Sequence, residues 1–113
     1  MEGKISSDML RGHTDTIILS ILAVGDSYGY EIAKTIQVKT EDRFELKEAT
    51  LYSSFRRLEQ DACISSYWGD ETQGGRRKYY SITERGRQMR LKNIQDWRLT
   101  NNILAELFEE EKK

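Results

Sequence analysis

The sequence predicts a mainly α fold with a small β-hairpin wing: a winged helix-turn-helix followed by a long C-terminal helix. Three observations carry this. A helical pattern over about 48–61 places Leu51, Phe55, Leu58 and Ala62 at i, i+4, i+7 and i+11, a buried stripe. Two alternating stretches around Ile64–Trp68 and Lys78–Ile82 flank the glycine-rich GDETQGG and read as a hairpin. A helical pattern of roughly 25 residues then runs from Thr83 toward Glu110, longer than so small a core can cover.

The chain of 113 residues has the length of one domain. Its roles divide into a winged helix-turn-helix over 1–82 and a C-terminal dimerisation helix over 83–113, part of the same compact unit. No apolar run approaches the ~20 residues of a membrane span, and MEGKISSDML lacks the basic-then-apolar order of a signal peptide. The lone Cys63 excludes an internal disulfide and fits a reducing cytosol. A cytoplasmic protein without a membrane partner is expected.

The net charge of -1 argues against a general polyanion binder, but its distribution does not. Between Arg76 and Lys92 lie seven basic residues (Arg76, Arg77, Lys78, Arg85, Arg87, Arg90 and Lys92) against the single acid Glu84. Acids collect at Glu41 and Asp42, at Asp70 and Glu71, and at Glu109 to Glu111. A local basic patch is what phosphate contact requires, although a solvated helix face would carry the same residues.

In chain order, Ser6 or Ser7 is the expected N-cap of a first helix over about 8–24, with Asp8 at the positive end of its dipole. TIILSILAV is apolar on nearly every side, so this helix should be largely buried. Gly12 is an awkward interior residue, excused by close approach of another helix. Gly25 should close the helix with a left-handed cap. The second helix follows Gly25-Asp26-Ser27, with Tyr28, Ile32 and Ile36 at helical spacing and Ala33 beside them, and with Tyr30 and Lys34 on its other side. VKTEDRFEL gives a polar connection with a short extended stretch at Phe44-Glu45-Leu46.

Opposite the buried stripe, the third helix should present Thr50, Ser53, Ser54 and Arg57, with Tyr52 between the two faces. Short hydroxyls, a tyrosine and an arginine suit close approach to base edges and phosphates. Lys47 stands where a capping side chain is expected, a misfit unless it meets phosphate. After the hairpin tip, Gly74-Gly75 delivers Arg76, Arg77 and Lys78. A plain surface hairpin would share this composition, but its place directly after a polar-faced helix favours a wing. Thr83 should cap the last helix, whose Met89, Leu91, Ile94, Trp97, Leu99, Ile103, Leu104, Leu107 and Phe108 demand a partner. A symmetric dimer, in which this helix packs on the same helix and the first helix of its mate, is the expected solution.

No enzyme is expected. The single His13 and Cys63 lie in different elements, so neither a nucleophile–base pair nor a metal cluster is evident, and no cofactor is expected. His13 reads as a helix-surface residue, and Cys63 as small core filler. A winged-helix module that binds protein instead of DNA is the alternative class, kept open by the near-zero net charge.

At GYEI (29–32), ATLYSSFRRLEQDACI (49–64) and GGRRKYYSITERGR (74–87), in this order, the chain resembles the PadR family of bacterial transcription regulators. The short terminal helix resembles the compact branch of that family, and SSYWGDETQGGRRKYY is most similar to its LmrR-type multidrug-responsive repressors. The resemblance implies a homodimeric repressor on double-stranded, palindromic DNA, with the third helix in the major groove and the wings at adjacent minor grooves. Tyr30, Thr50, Tyr52, Ser53, Arg76, Arg77 and Lys78 would then meet DNA, joined by Lys47 and Arg57 from the residue reading. It also implies a flat apolar pore at the dimer interface, where Trp97 of each subunit sandwiches a small planar aromatic ligand. Asn93 and Ile94 would line this pore, with Met9, Gly12, Thr16 and Leu19 from the first helix. Thr16, Asn93 and Asn101 make it more polar, and Asn101 supplies no negative charge for a cationic drug. Trp97 also suits plain dimer packing.

Overall fold

The computed structural model describes residues 3–69 and 76–109, and its elements follow from local signals with a few exceptions. The order is α1 (Thr14–Val24), β1 (Ser27–Tyr28), α2 (Gly29–Lys39), α3 (Glu48–Gln60), β2 (Ile64–Trp68), β3 (Lys78–Ile82) and α4 (Glu84–Phe108). Four helices and a three-stranded antiparallel sheet of order β1-β3-β2 give the expected winged-helix architecture.

The first helix is shorter than its apolar pattern. Residues 7–12 form successive turns, with Leu10 N–H bonded to Ser7 O and His13 N–H to Leu10 O, and α1 begins only at Thr14. Gly12 explains the delay: its φ of +93° is outside the helical range, and no atom lies within 4 Å of where a Cβ would stand. Its role is therefore conformational, not the close approach of a helix. Ser6 and Ser7 cap nothing; His13 occupies the N-cap without a side-chain bond. Asp15, in the first turn, meets the positive end of the dipole. Gly25 leaves the helix in extended conformation (φ 173°, ψ 160°), not in the left-handed cap expected.

Ser27, expected in the turn, and Tyr28, expected at helical spacing on the second helix, form β1 and pair with β3 instead, Ser27 opposite Tyr80 and Tyr28 opposite Tyr79. Two residues are too few for any periodicity to announce. Ser27 Oγ donates to Glu31 Oε1 at 2.6 Å, bracing the first turn of α2. Thr40 ends that helix, its hydroxyl donating to Ile36 O at 2.9 Å. Glu41 and Asp42 then turn the chain through positive φ. Phe44 and Leu46 form no strand, yet both side chains are buried.

The core joins Ile18, Leu19 and Leu22 of α1, Ile32 and Ile36 of α2, and Leu51, Phe55 and Leu58 of α3 to Cys63, Ile64 and Tyr80. The predicted stripe of α3 thus holds, except at Ala62. That residue is exposed at φ +61° beyond the helix end, where Cys63 N–H donates to Leu58 O and closes the terminus. Cys63 is fully buried core filler, its Sγ 3.6 Å from Met89 Sδ.

Thr83 caps α4 as expected, its Oγ1 accepting from Gly86 N–H at 3.0 Å. The same hydroxyl donates to Ala62 O at 2.7 Å, while Thr83 N–H donates to Cys63 O at 3.0 Å. Gly86 is the one buried residue of α4. A Cβ there would lie 2.1 Å from Cys63 O and 2.9 Å from Ile82 Cγ1. The start of α4 is thereby pressed onto the junction of α3 and β2, and its far half runs on unsupported along a molecule 65 Å long.

In an open helix interior, alanine is favoured over glycine by up to about 1 kcal/mol. At Gly86 the clash with a carbonyl should win, so Gly86→Ala is expected to lower stability by about 1–3 kcal/mol. Urea unfolding measures this, and a midpoint equal to or above wild type would contradict the close joint.

Candidate nucleic-acid interface and apolar trough

The polar face of α3 is held outward because the opposite face is committed to the core. Lys47, at the N-cap, and Thr50 are exposed; Ser53 is half-buried; Tyr52 is partly exposed and lies edge-on to Phe55 at 5.3 Å. Tyr30, at the start of α2, is 72% exposed. Its neighbour Gly29 lies so close to Tyr52 that an added Cβ would fall 2.5 Å from the phenolic oxygen, so α2 and α3 meet here without a spacer.

Two residues depart from the predicted face. Ser54 is fully buried, because it sits on the α1 side of α3. Arg57 is turned to Asp15, its Nη2 2.6 Å from Oδ1 and its Nε 3.1 Å from Oδ2, and it also donates to Ser54 Oγ at 3.0 Å. The Asp15 hydrogen bond holds the Arg57 guanidinium above its ordinary pKa. The exposed basic residue beside it is Arg56, which donates to Ser53 Oγ at 3.4 Å. Sequence reasoning passed over Arg56, although helical spacing puts it as squarely opposite Leu51 and Leu58 as Arg57. Turns 7–12 complete a recess of about 580 Å³ along this flank, bringing Asp8 and Arg11 to Lys47 and Thr50.

The wing is moored by rings. Tyr80 of β3 stacks on Phe55 of α3 at 4.0 Å, Tyr67 stacks on Tyr79, and Tyr28 meets Tyr79 edge-on. Ser66 Oγ donates to Glu59 at 2.6 Å, and Tyr67 OH to Asp26 Oδ2 at 2.6 Å. Arg76, Arg77 and Lys78 are all exposed, lying over Trp68, Tyr28 and Tyr80 at 4.7, 4.9 and 5.8 Å. Such cation–ring contacts orient a charge while leaving its other face to water. The tip residues Asp70, Glu71 and Gly74-Gly75 lie outside the described residues.

A second feature is an open trough of about 1150 Å³ along α1, between α2 and α4. It brings together six of the seven residues expected of a pore: Met9, Gly12, Thr16, Asn93, Ile94 and Trp97. Leu19 is the exception, fully buried in the core on another face of α1. Asn93 Nδ2 donates to Thr16 Oγ1 at 2.9 Å and Arg90 Nε to Ser20 Oγ at 2.8 Å, tying α4 to α1. Asn101 lines the trough as expected; Asp96, paired with Lys92 at 2.8 Å, brings an acid that the sequence reading did not place there. His13, read as a surface residue, is half-buried at the same wall. Trp97 remains 45% exposed, and Leu99, Ile103, Leu107 and Phe108 continue the apolar surface, Phe108 at 75%.

Among the described residues no helix is long and apolar enough to cross a membrane, and no group of three or more His, Cys, Asp or Glu could hold a metal ion.

Comparison with known proteins agrees with the fold. Residues 18–92 match the model of the transcriptional regulator PadR-like family. The fold is similar to that of a transcriptional regulator from Clostridium thermocellum, with a TM-score of 0.84, 47% identity, and coverage of 90% of this chain and 99% of that one. A PadR family transcription regulator from Clostridium difficile superposes with a TM-score of 0.74 at 40% identity, over 86% of this chain and 99% of that one. An uncharacterized protein of Lysinibacillus sphaericus is 43% identical over 106 residues, covering 94% of this chain and 96% of its own.

Burial, with the charge of Glu59 adding to it, pushes the Tyr80 hydroxyl up to about 12. The folded protein thus holds this proton more tightly than the unfolded chain, whose tyrosines titrate near ~10. The resulting stability is complete below pH ~10 and is lost as pH rises through about 12. Tyr80→Phe should show a shallower alkaline fall in unfolding midpoint than wild type; parallel falls would mean that another group is responsible.

Proposed function

This chain belongs to the PadR-like family of transcriptional regulators, and from that premise we propose that it is a homodimeric, sequence-specific repressor released by a planar aromatic ligand. The observation that carries the DNA reading is the pairing of an outward polar face on α3 with a ring-moored basic wing. α3 lies in the major groove, where Thr50, Tyr52 and Ser53 read base edges and Lys47 and Arg56 meet phosphate or bases at its margins. Tyr30 adds a contact from α2. Arg76, Arg77 and Lys78 bind flanking phosphates and supply affinity more than specificity. The reading role falls to the segment 1–82 and the pairing role to the segment 83–113, through α4, in a cytoplasmic regulator.

The dimer reading rests on the apolar residues that α4 leaves uncovered from Trp97 to Phe108. A second copy packs its α4 against α4 and α1, and so roofs the trough over a palindromic operator. Trp97 of each copy then offers an indole face to a planar ring, as in the LmrR-type branch. The polar rungs Thr16, Asn93 and Asn101 favour a ligand that also hydrogen-bonds. Ligand that binds the DNA-free form more tightly shifts α4 and with it the spacing of the two reading helices.

Anisotropy titration of labelled duplex from upstream of the protein's own gene, against a scrambled duplex at several salt concentrations, tests the DNA reading. Saturable binding to the upstream duplex alone supports it, and equal weak binding to both would count against it. The joint Arg76→Ala and Arg77→Ala change should weaken every duplex alike and lower the salt slope by about 2 per wing; loss confined to the operator would refute the phosphate role.

Trp97→Ala should abolish quenching and release by planar aromatic dyes while leaving a folded dimer in sedimentation. A monomeric variant would assign Trp97 to dimer packing instead.

A further inference from the structure

We propose that Asp15 is a positioning residue for the DNA-reading helix: it grips Arg57 in a two-point clamp and so fixes α3 to α1, withdrawing Arg57 from DNA contact. The proposal rests on the reading of α3 as the DNA helix. Its ground is geometry that neither the family match nor the motifs assign. Arg57 presents two N–H groups to the two oxygens of one carboxylate at 2.6 and 3.1 Å, a fork-on-fork arrangement that sets orientation as well as distance. Its Nη2 reaches further to the fully buried Ser54 Oγ at 3.0 Å, so the guanidinium is held from both helices. The side chain of Asp15 is 25% exposed and that of Arg57 53%, which places the clamp at the margin of the reading face.

The clamp has a second half. Residue 16, the neighbour of Asp15, accepts from Asn93 of α4 at 2.9 Å, and one turn on Ser20 accepts from Arg90 at 2.8 Å. One edge of α1 is therefore bonded to the trough wall and another to the reading helix. Displacement of α4 by an occupant of the trough reaches α3 through α1 by these bonds, alongside the joint at Gly86. A free arginine at position 57 would add one phosphate contact, whereas a clamped one adds orientation. The two roles demand opposite effects of removing Asp15, because a liberated Arg57 would tighten DNA binding if phosphate contact were its task.

The test is a cycle of Asp15→Asn, Arg57→Ala and the double variant, with Asp15→Arg combined with Arg57→Asp as the reversed pair. Each is titrated against the upstream duplex and a scrambled duplex over a range of salt. Each single change should weaken operator binding roughly three- to thirtyfold, and the double change no more than the worse single. Binding to the scrambled duplex and the salt slope should stay as in wild type, so that discrimination falls while charge contact does not. The reversed pair should recover part of the loss. Asp15→Asn is nearly isosteric, and its circular dichroism and urea midpoint separate lost positioning from lost folding. Unchanged or tighter operator binding by Asp15→Asn, or a salt slope reduced by about 0.9 per protomer in Arg57→Ala, would overturn the clamp while leaving the DNA reading intact. Wild-type protein that fails to distinguish the two duplexes would sink the DNA reading, and the proposal with it.

Discussion

The architecture depends on one close contact, that of Gly86 against the carbonyl of Cys63. Around it the end of α3, the start of β2 and the start of α4 converge, with Thr83 bonded to both Ala62 O and Cys63 O. Any side chain at position 86 would force these elements apart. Because the contact is made by backbone at both sides, it has no rotamer freedom to absorb strain. The direction of α4, a helix about 37 Å long at 1.5 Å per residue, is therefore set within its first turn. Small changes at this joint become large displacements at Phe108.

The wing follows a different principle. Its strands bury little apart from Ile64 and Tyr80, so its orientation relies on ring stacking to α3 and on hydrogen bonds from Ser66 and Tyr67 to acids of α3 and of the α1–β1 turn. The same rings carry Arg76, Arg77 and Lys78 above them. A near-neutral chain thus still concentrates positive charge where a polyanion would lie, since phosphate binding responds to local potential and not to the sum over the molecule. On α3 the charge of Arg57 is paired with Asp15.

The uncovered half of α4 is the counterpart of this economy in the core. A single α1 cannot roof a helix of 25 residues, so Trp97, Leu99, Ile103, Leu104, Leu107 and Phe108 stand exposed beside an open trough. Apolar surface of this extent is costly in water. The hydrogen bond from Asn93 to Thr16 ties α4 to α1 along that trough.

What the sequence by itself determined is whatever a local period or cap can encode. The stripe of Leu51, Phe55 and Leu58, the alternation in β2 and β3, the cap at Thr83 and the apolar excess of α4 were all legible, because each is decided by residues within a few positions of one another. The motifs from Gly29 to Arg87 named the family for the same reason. Tertiary structure alone decided the rest. Gly12 could be read as helix interior until its backbone showed a positive φ. β1 exists only because β3 lies beside it, with Ser27 opposite Tyr80, far along the chain. Leu19 and Thr16 looked alike as pore candidates, yet the packing of α1 on α3 and α4 buries one and opens the other. Arg57 looked free until Asp15, 42 residues earlier, was found bonded to it. Contacts between distant segments depend on how helices are set against each other, and no pattern of neighbours along the chain records that.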